Sequence, residues 1–397
     1  KHSRGRIKAR GTRRSCSTAA SLTLCRAMAP SYKTVDPAAA SPPSMKRSST
    51  STVLAQGAFI GAVLIAGVFG VRHARFRLRP PAPAFFDDFD TIDAKRWTVE
   101  RSLDDGGNGE FQAYTDDPRV VYAKDGLLVV EPKPMTADAW AWLTGGKGPA
   151  DVRSALEDGT TLEVEKCNGD GLCSHAGKWD EPLPPVVSAK LTTKHKFQFR
   201  YGTAEVRLRL PKGDWIWPAI WLLPADNAYG PWPFSGELDL LEARGNGKDF
   251  QVVGSDQSGY AGNDHLAATV HCADAGGSDS FSIGNTTIGR GLGGLEDDEG
   301  FVIIGVEWSE DSVVTYAREQ GPATKRRVLA TYSGHSGPAC DNKVYKDAPP
   351  NAPFDQEFYF VINVAVGGSS GGGIAYWGDD VLWQGCDHPH MCDPRTQ

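Results

Sequence analysis

The segment Gly236-Glu-Leu-Asp-Leu-Leu-Glu242 alternates acidic and apolar residues, which is the pattern of a β-strand with one polar face. Glu237 and Asp239 are two residues apart and therefore share a face of the strand. Glu242 lies further along and would point to the opposite face of a regular strand. A one-residue β-bulge at Leu240-Leu241 returns Glu242 to the face of the other two acids. We therefore predict a bulged strand that presents three carboxylates on one side.

Three carboxylates on one strand face are suited to nucleophilic and acid–base chemistry. With the bulge, Glu237 and Glu242 are separated along the strand by roughly 13 Å, at about 3.3 Å per residue. Side chains that lean toward each other approach the separation of roughly 5–5.5 Å between the carboxyls of retaining glycosidases. Glu237 is then the nucleophile, Asp239 holds and orients it, and Glu242 is the general acid/base, its proton affinity raised by acidic neighbours. The alternative is an edge strand whose leucines face inward and whose acids are only solvated.

Large aromatic residues surround this acidic segment in the sequence. Trp215, Trp217 and Trp221 precede it, and Trp232 lies shortly before Glu237. Aromatic rings offer the flat apolar surface that stacks on sugar rings. Their density beside three acids favours a carbohydrate-binding cleft over a solvated strand edge.

From Ala84 onward, short apolar runs alternate with Gly, Asp, Asn and Pro. The chain has 45 glycines, 26 prolines and 11 tryptophans, a composition typical of turn-rich, strand-rich proteins. No stretch of this region has a long apolar repeat of 3.6 residues. We predict an all-β sandwich or jelly roll. Its predicted strands are 126–131, 188–192, 202–210, 219–223, 237–242, 267–272, 301–308, 312–317 and 357–366.

The charge distribution divides the chain into a basic N-terminal part and an acidic remainder. Residues 1–79 contain 15 Lys and Arg against one acid, Asp36, for a net charge of +14. Since the whole chain carries −7, the remainder carries −21. An acidic main domain argues against nucleic acid as a partner and suits a neutral polymer. Residues 1–51 are polar and unpatterned, which predicts a disordered basic tail, and residues 72–83 are predicted to be a linker.

An apolar segment lies within the basic part of the chain. Residues 53–71 are apolar except for Gln56 and are flanked by basic residues on both sides. A helix of this length spans roughly 28 Å, close to the bilayer core of about 30 Å. We predict that residues 52–71 form a transmembrane signal anchor or a signal-peptide helix. Either sends the main domain into the secretory pathway, anchored to a membrane or secreted. A buried core helix is the alternative, which the Pro-rich and Arg-rich flanks disfavour.

Six cysteines lie beyond the basic part, an even number that suits an oxidising compartment. Cys167 and Cys173 are expected to close a small loop. Cys386 and Cys392 flank two histidines in the last stretch, 386–397, which we treat as a tail. These four residues are too close in sequence to surround a tetrahedral metal ion comfortably, so a disulfide is favoured there. We expect no metal site and no cofactor.

Ordered motifs extend over about residues 84–370. They are Phe86-Asp-Asp-Phe89, Gly106-Gly-Asn-Gly-Glu-Phe-Gln112, Tyr201-Gly-Thr-Ala-Glu-Val-Arg207, Leu210-Pro-Lys-Gly-Asp-Trp-Ile-Trp-Pro-Ala-Ile-Trp221, Tyr229-Gly-Pro-Trp-Pro-Phe-Ser-Gly-Glu-Leu-Asp-Leu-Leu-Glu-Ala-Arg-Gly-Asn246, Pro353-Phe-Asp-Gln-Glu-Phe358 and Asn363-Val-Ala-Val-Gly-Gly368. In this order they resemble glycoside hydrolase family 16, within it the branch of laminarinases and β-1,3-glucan-binding proteins.

The resemblance implies a concanavalin-like β-jelly roll over residues 84–385 with a long glucan-binding cleft. It assigns Glu237 as nucleophile, Asp239 as its helper and Glu242 as acid/base. It also implies a cleft lined by Trp217, Trp221, Trp232, His271 and Asn363. The implied activity is retaining endo-hydrolysis of β-1,3-glucan by a monomer. Two alternatives share the cleft: a glucan-recognition protein without catalysis and a cell-wall transglycosylase.

The chain departs from the family pattern in two places. The family commonly has His-Trp-Gly where this chain has His271-Cys272-Ala273. The resemblance therefore implies one stacking contact fewer, and it leaves Cys272 available to pair with Cys340. Similarity also fades after Gly368, where the family continues into a final strand. We expect its loss to leave a sheet edge open.

Overall fold

A computed structural model describes most of the predicted main domain and one short segment before it. The described residues are 83–103, 108, 110–156, 158–178, 182–247, 262–288, 294–321, 326–334, 340 and 343–368, together with the backbone of residues 22–29.

Strands dominate the described part of the chain, which contains two short helices. The first strands are β1 (Leu22–Ala29), β2 (Phe85–Asp87), β3 (Thr98–Val99), β4 (Ser102–Leu103), β5 (Gln112–Tyr114), β6 (Val121–Lys124), β7 (Leu127–Val130) and β8 (Lys133–Pro134). Helices α1 (Ala137–Thr144) and α2 (Val152–Ala155) follow, and then β9 (Thr161–Glu163), β10 (Ser174–Ala176), β11 (Val186–Ser188) and β12 (Lys190–Thr192). The remaining strands are β13 (Gly202–Arg209), β14 (Ile216–Pro224), β15 (Glu237–Glu242), β16 (His265–Ala273), β17 (Asp279–Thr287), β18 (Val302–Trp308), β19 (Val313–Arg318), β20 (Arg326–Tyr332) and β21 (Phe358–Val366).

Two large antiparallel sheets form a sandwich. The first has the order β17-β16-β15-β14-β21-β12-β3, and the second has the order β20-β19-β18-β13-β1-β7-β6, with β2 paired to β1. Smaller sheets, β4-β5-β11-β8 and β10-β9, flank them. The predicted all-β jelly-roll sandwich is confirmed.

Residue alternation decides which face of each strand enters the core. In β13, Ala204, Val206 and Leu208 are buried between the sheets, while the residues between them are partly exposed. Every residue of β21 is buried, because this strand lies inside its sheet and is covered on both faces. Each buried Leu, Ile or Phe contributes about 1.5–3 kcal/mol relative to exposure, so apolar alternation is the main determinant of the fold.

All nine strands predicted from the sequence are present. The segment 237–242 has the predicted bounds, and 188–192 falls across β11 and β12. The longest strand that the prediction missed is β17, which pairs with β16 over nine residues. Its sequence, Asp279-Ser-Phe-Ser-Ile-Gly-Asn-Thr-Thr287, is mostly polar, and its apolar alternation is limited to Phe281 and Ile283, so its pairing with β16 defines the strand more than its composition does.

Strand β1 corrects the predicted disorder of the tail at residues 22–29. Leu22–Ala29 lies between β7 and β13 and pairs antiparallel with both. Without it, both neighbours would present unpaired backbone N–H and C=O groups at an edge. The backbone hydrogen bonds of the ladder therefore give this segment a structure that its composition does not predict.

Several sequence predictions fall outside the described residues. They concern the rest of the tail, the apolar segment 53–71, most of the linker 72–83, and the stretch 386–397 with Cys386 and Cys392. Among the described residues, no helix is both long and apolar enough to cross a membrane.

The four cysteines whose side chains the structure describes form two disulfides. Cys167 pairs with Cys173, as the spacing predicts, and Cys272 pairs with Cys340. Cys272 is completely buried and faces the core between the sheets. The expected loss of a stacking contact at this position is therefore wrong for this chain, because residue 272 does not face the cleft.

The position of β1 predicts slow hydrogen exchange of the Leu22–Ala29 amides in the full chain. A single membrane crossing at residues 53–71 would separate this segment from β7 and β13, so the pairing and the crossing exclude each other. Hydrogen exchange followed by mass spectrometry distinguishes them, with the amides of β13 as the protected reference. Exchange as fast as in an unstructured peptide would contradict the pairing of β1.

The two disulfides are expected to differ in their contribution to stability. Cys272–Cys340 spans 68 residues and Cys167–Cys173 spans six. The entropy of loop closure then gives about 4 kcal/mol for the long loop and about 2 kcal/mol for the short one. Replacing each pair by alanines and measuring the free energy of unfolding in urea tests the order. A larger loss for the Cys167/Cys173 double variant would contradict it.

Candidate active site

Strand β15 presents its three carboxylates on one face because it contains the predicted bulge. Between Asp239 and Glu242, β15 has one residue more than either neighbouring strand. Leu240 and Leu241 are adjacent in sequence, yet both are completely buried. The bulge thus places two consecutive leucines in the core and returns Glu242 to the face of Glu237 and Asp239.

Neighbouring strands bring the predicted cleft residues to the same face of the sheet. Trp221 of β14 is paired with Asp239, and His271 of β16 is paired with Glu237. Trp217 on β14 and Asn363 on β21 lie at positions that face the same side of the sheet as Trp221. Trp232 enters from the loop that precedes β15. The structure brings all eight sequence-predicted site residues together.

Each of the two glutamates accepts a hydrogen bond from an indole N–H. Trp217 Nε1 donates to Glu242 Oε1 at 3.0 Å, and Trp232 Nε1 donates to Glu237 Oε2 at 2.6 Å. Trp232 is 54% exposed, so its ring faces the solvent of the cleft while its N–H is engaged. These tryptophans therefore orient the carboxylates, in addition to offering a surface for sugar rings.

Asn363 is occupied by protein partners on both ends of its amide. Its Oδ1 accepts a hydrogen bond from Trp221 Nε1 at 2.8 Å, and its Nδ2 donates to Tyr114 Oη at 3.0 Å. Gln112 Nε2 donates to the same hydroxyl at 3.2 Å. Asn363 is almost fully buried and both ends of its amide are bound to protein groups, so it acts on the cleft by positioning the indole of Trp221. Tyr114 and Gln112 were missed as site residues, although Gln112 ends one of the quoted motifs.

Two carboxylates hold the His271 ring. Its Nε2 lies 3.0 Å from Asp239 Oδ2, and its Nδ1 lies 2.9 Å from Asp279 Oδ2. Burial lowers the pKa of His271, but hydrogen bonds to both aspartates and the charges of Asp239 and Glu237 outweigh it and raise the pKa to about 11. His271 is therefore a cation at neutral pH. Asp279, which contacts its Nδ1, was not among the site residues predicted from the sequence.

The environment raises the proton affinity of both glutamates. Burial and the charge of Asp239 raise the pKa of Glu242 to about 7, against the opposing effects of His271, the Trp217 N–H and Arg244. Burial and Asp239 also raise the pKa of Glu237 well above its usual range. The raised pKa of Glu242 agrees with the predicted role as an acid.

Asp239 also affects the protonation of Glu237. Its negative charge adds to burial in raising the pKa of Glu237, an effect that the predicted role of holding and orienting Glu237 did not include. The groups that favour the ionised form are the His271 cation and the Trp232 N–H. Asp239 acts on the site through its contact with His271.

Further side chains border this face of the sheet. Phe281 of β17 is 41% exposed, and its ring centroid lies 5.9 Å from that of His271. Lys190 of β12 lies over the rings of Tyr114 and Trp221 and pairs with Glu100 at 3.3 Å. The face thus combines aromatic surface, paired charges and the acids of β15, which suits a neutral, hydroxyl-rich polymer.

Trp217→Phe is expected to move the alkaline limit of activity to higher pH. The indole N–H stabilises the ionised form of Glu242, so its loss raises the pKa of Glu242, by about one unit for one hydrogen bond. Glu242 must be protonated to act as the acid. The alkaline limb of the pH profile, which falls near pH 7 in the wild type, is therefore expected to fall at a higher pH in the variant. The pH dependence of kcat/KM on a soluble glucan measures this, and a limb that moves to lower pH would contradict the contact.

No family model matches the chain. The chain is 35% identical over 297 residues to a β-1,3-glucan-binding protein of Penaeus monodon, covering 73% of this chain and 75% of that protein. It is 29% identical over 282 residues to a glucan endo-1,3-beta-glucosidase of Cryptopygus antarcticus, covering 70% and 78%. The solved laminarinase of Rhodothermus marinus aligns with a TM-score of 0.46 at 22% identity, over 72% of this chain and 86% of that one. This chain belongs to glycoside hydrolase family 16, in the branch of laminarinases and β-1,3-glucan-binding proteins.

Proposed function

We propose that this protein is an endo-β-1,3-glucanase that hydrolyses β-1,3-glucan with retention of configuration, with Glu237 as nucleophile and Glu242 as acid/base. The observation that carries the proposal is the pair of glutamates on one face of β15, each held by an indole N–H. A binding surface alone requires neither a raised pKa at Glu242 nor a cation beside Glu237.

In the first step, Glu242 donates its proton to the glycosidic oxygen while a carboxylate oxygen of Glu237 attacks the anomeric carbon. The bond to the leaving sugar breaks, and a glycosyl ester with Glu237 forms. In the second step, ionised Glu242 takes a proton from water, whose oxygen attacks the anomeric carbon and releases Glu237. Two displacements at one carbon return the original configuration.

The surrounding residues support this sequence of charges. The raised pKa of Glu242 leaves it protonated below about pH 7, ready for the first step. The Trp232 N–H binds Oε2 of Glu237, and His271 provides the positive charge that favours the carboxylate. Trp221 lies on the neighbouring strand β14 and is positioned by Asn363, and its ring supplies an aromatic surface for a sugar.

A non-catalytic glucan-binding protein is the second candidate, since the relative at 35% identity carries that name. The presence of all three carboxylates, Glu237, Asp239 and Glu242, favours the enzyme over this candidate. A transglycosylase would use the same residues with a sugar hydroxyl in place of water.

We further propose that the protein is a monomer that enters the secretory pathway. Two disulfides in the described part suit an oxidising compartment, where they persist. The pairing of β1 with β7 and β13 argues against the anchor predicted at residues 53–71, because a single crossing there would place β1 and these strands on opposite sides of the membrane.

Glu237→Gln is expected to lower the rate at which reducing ends are released from laminarin by at least about a thousandfold. The amide is nearly the same size, so binding to insoluble β-1,3-glucan is expected to persist. Glu310→Gln, at an exposed turn between β18 and β19, is the matched control and is expected to keep full activity.

Each component of the proposal has its own contrary outcome. Binding without release by the folded wild type would reject hydrolysis and support glucan recognition. An α-anomeric product, seen by proton NMR in the first minutes of reaction, would reject retention. Oligosaccharides longer than the starting material would indicate transglycosylation.

A further inference from the structure

Asp279 is the first residue of β17 and contacts the site from outside β15. Its two carboxylate oxygens lie 2.9 and 3.1 Å from Nδ1 of His271. In the strand register Asp279 is opposite Ala273, and His271 is opposite Phe281. The contact is therefore diagonal across the two strands, and the small side chain of Ala273 leaves room for it.

The His271 ring is held at both nitrogens by carboxylates from different strands. Asp279 reaches Nδ1 from β17, and Asp239 reaches Nε2 from β15. Both nitrogens can donate at once only when the ring carries two protons. The neutral ring could donate to one aspartate alone, and the other nitrogen would then face a carboxylate as an unprotonated acceptor.

The charges that face His271 come from two strands. Glu237, Asp239 and Glu242 approach from β15 and Asp279 from β17, while the ring centroids of Trp232 and Phe281 lie 6.1 and 5.9 Å from that of His271. The three acids of β15 repel each other, and each opposes ionisation of the others. One fixed cation among them offsets this repulsion, and its position determines which carboxylate benefits.

We propose that Asp279 is a positioning residue that holds the His271 imidazolium directed at Asp239, so that its positive charge stays beside Glu237. This rests on the proposed function, in which Glu237 must ionise before it attacks. Asp279 touches neither the glutamates nor the reacting atoms; it acts through His271. A purely structural role, in which Asp279 only begins strand β17, makes different predictions.

The ionisation of His271 tests the proposal without reference to catalysis. In the full chain labelled with ¹⁵N-histidine, both ring nitrogens of the wild type are expected to be protonated at pH 8. In Asp279→Asn the midpoint is expected to fall by roughly one to three pH units, the usual effect of losing a neighbouring opposite charge. An unchanged His271 titration in this variant would overturn the proposal.

Asp264→Asn is the matched control for this measurement. Asp264 Oδ1 lies 2.8 Å from Nδ1 of His265, at the other end of β16, roughly 20 Å from His271 along the strand. This variant is expected to shift the signals of His265 and to leave those of His271 unchanged. A change in the His271 signals of this variant would mean that a distant change in charge also affects His271, and it would contradict a specific role of Asp279.

Kinetics on laminarin test the connection to Glu237. Asp279→Asn is expected to lower kcat about ten- to a hundredfold with KM within about twofold. The acidic limb of the pH profile is expected to stay in place, because a midpoint lowered by one to three pH units leaves His271 protonated throughout that limb. The loss of kcat then reports the position of the imidazolium and not its charge. Asp279→Glu keeps the charge and is expected to retain the imidazolium and most of kcat. In a His271→Gln background, Asp279→Asn is expected to have no further effect.

The outcomes separate this proposal from the proposed function. An equal loss of kcat in the wild-type and His271→Gln backgrounds would overturn the route through His271. A wild type that binds glucan without cleaving it would reject the proposed function, and the NMR titration would still decide whether Asp279 holds His271. Circular dichroism confirms that each variant is folded, and Asp279→Ser replaces the asparagine variant if that one is not.

Discussion

The bulge at Leu240–Leu241 is the constraint on which the candidate site depends. A regular strand would send Glu242 into the core and one of the two leucines into the cleft. Burying a carboxylate without a partner costs several kcal/mol, so the core itself favours the bulged register. The packing of the sandwich and the geometry of the acids are thus decided by the same extra residue.

Grouping three acids creates an electrostatic problem that the neighbouring strands resolve. Burial and the charge of Asp239 raise the pKa of both glutamates, and the opposing contributions come from outside β15. They are the indole N–H groups of Trp217 and Trp232 and the His271 cation. The site is therefore a property of the sheet, since the groups that favour the ionised glutamates are supplied by residues outside β15.

The sequence predicted what depends on local alternation and missed what depends on contacts between strands. The bounds of β15, its bulge and its acidic face follow from the parity of Glu237, Asp239 and Glu242. Asp279 could not be found in this way, because β17 has a polar sequence and its register with β16 is a tertiary property. The engagement of Asn363 with Trp221 was missed for the same reason. Strand β1 was missed because pairing between β7 and β13, and not its composition, makes it a strand.

Consecutive residues of β16 show how the chain separates chemistry from stability. His271 faces the cleft between two aspartates, and Cys272 faces the core, where its disulfide reaches Cys340. Because side chains alternate along a strand, a substitution at residue 272 changes the core while the contacts of residue 271 remain on the opposite face. The departure from the His-Trp-Gly pattern therefore alters what anchors β16 and leaves in place the side chain that contacts Asp239. The disulfide therefore ties the end of β16 to residue 340 on the core side, one residue from the His271 ring that contacts carboxylates of two different strands on the cleft side.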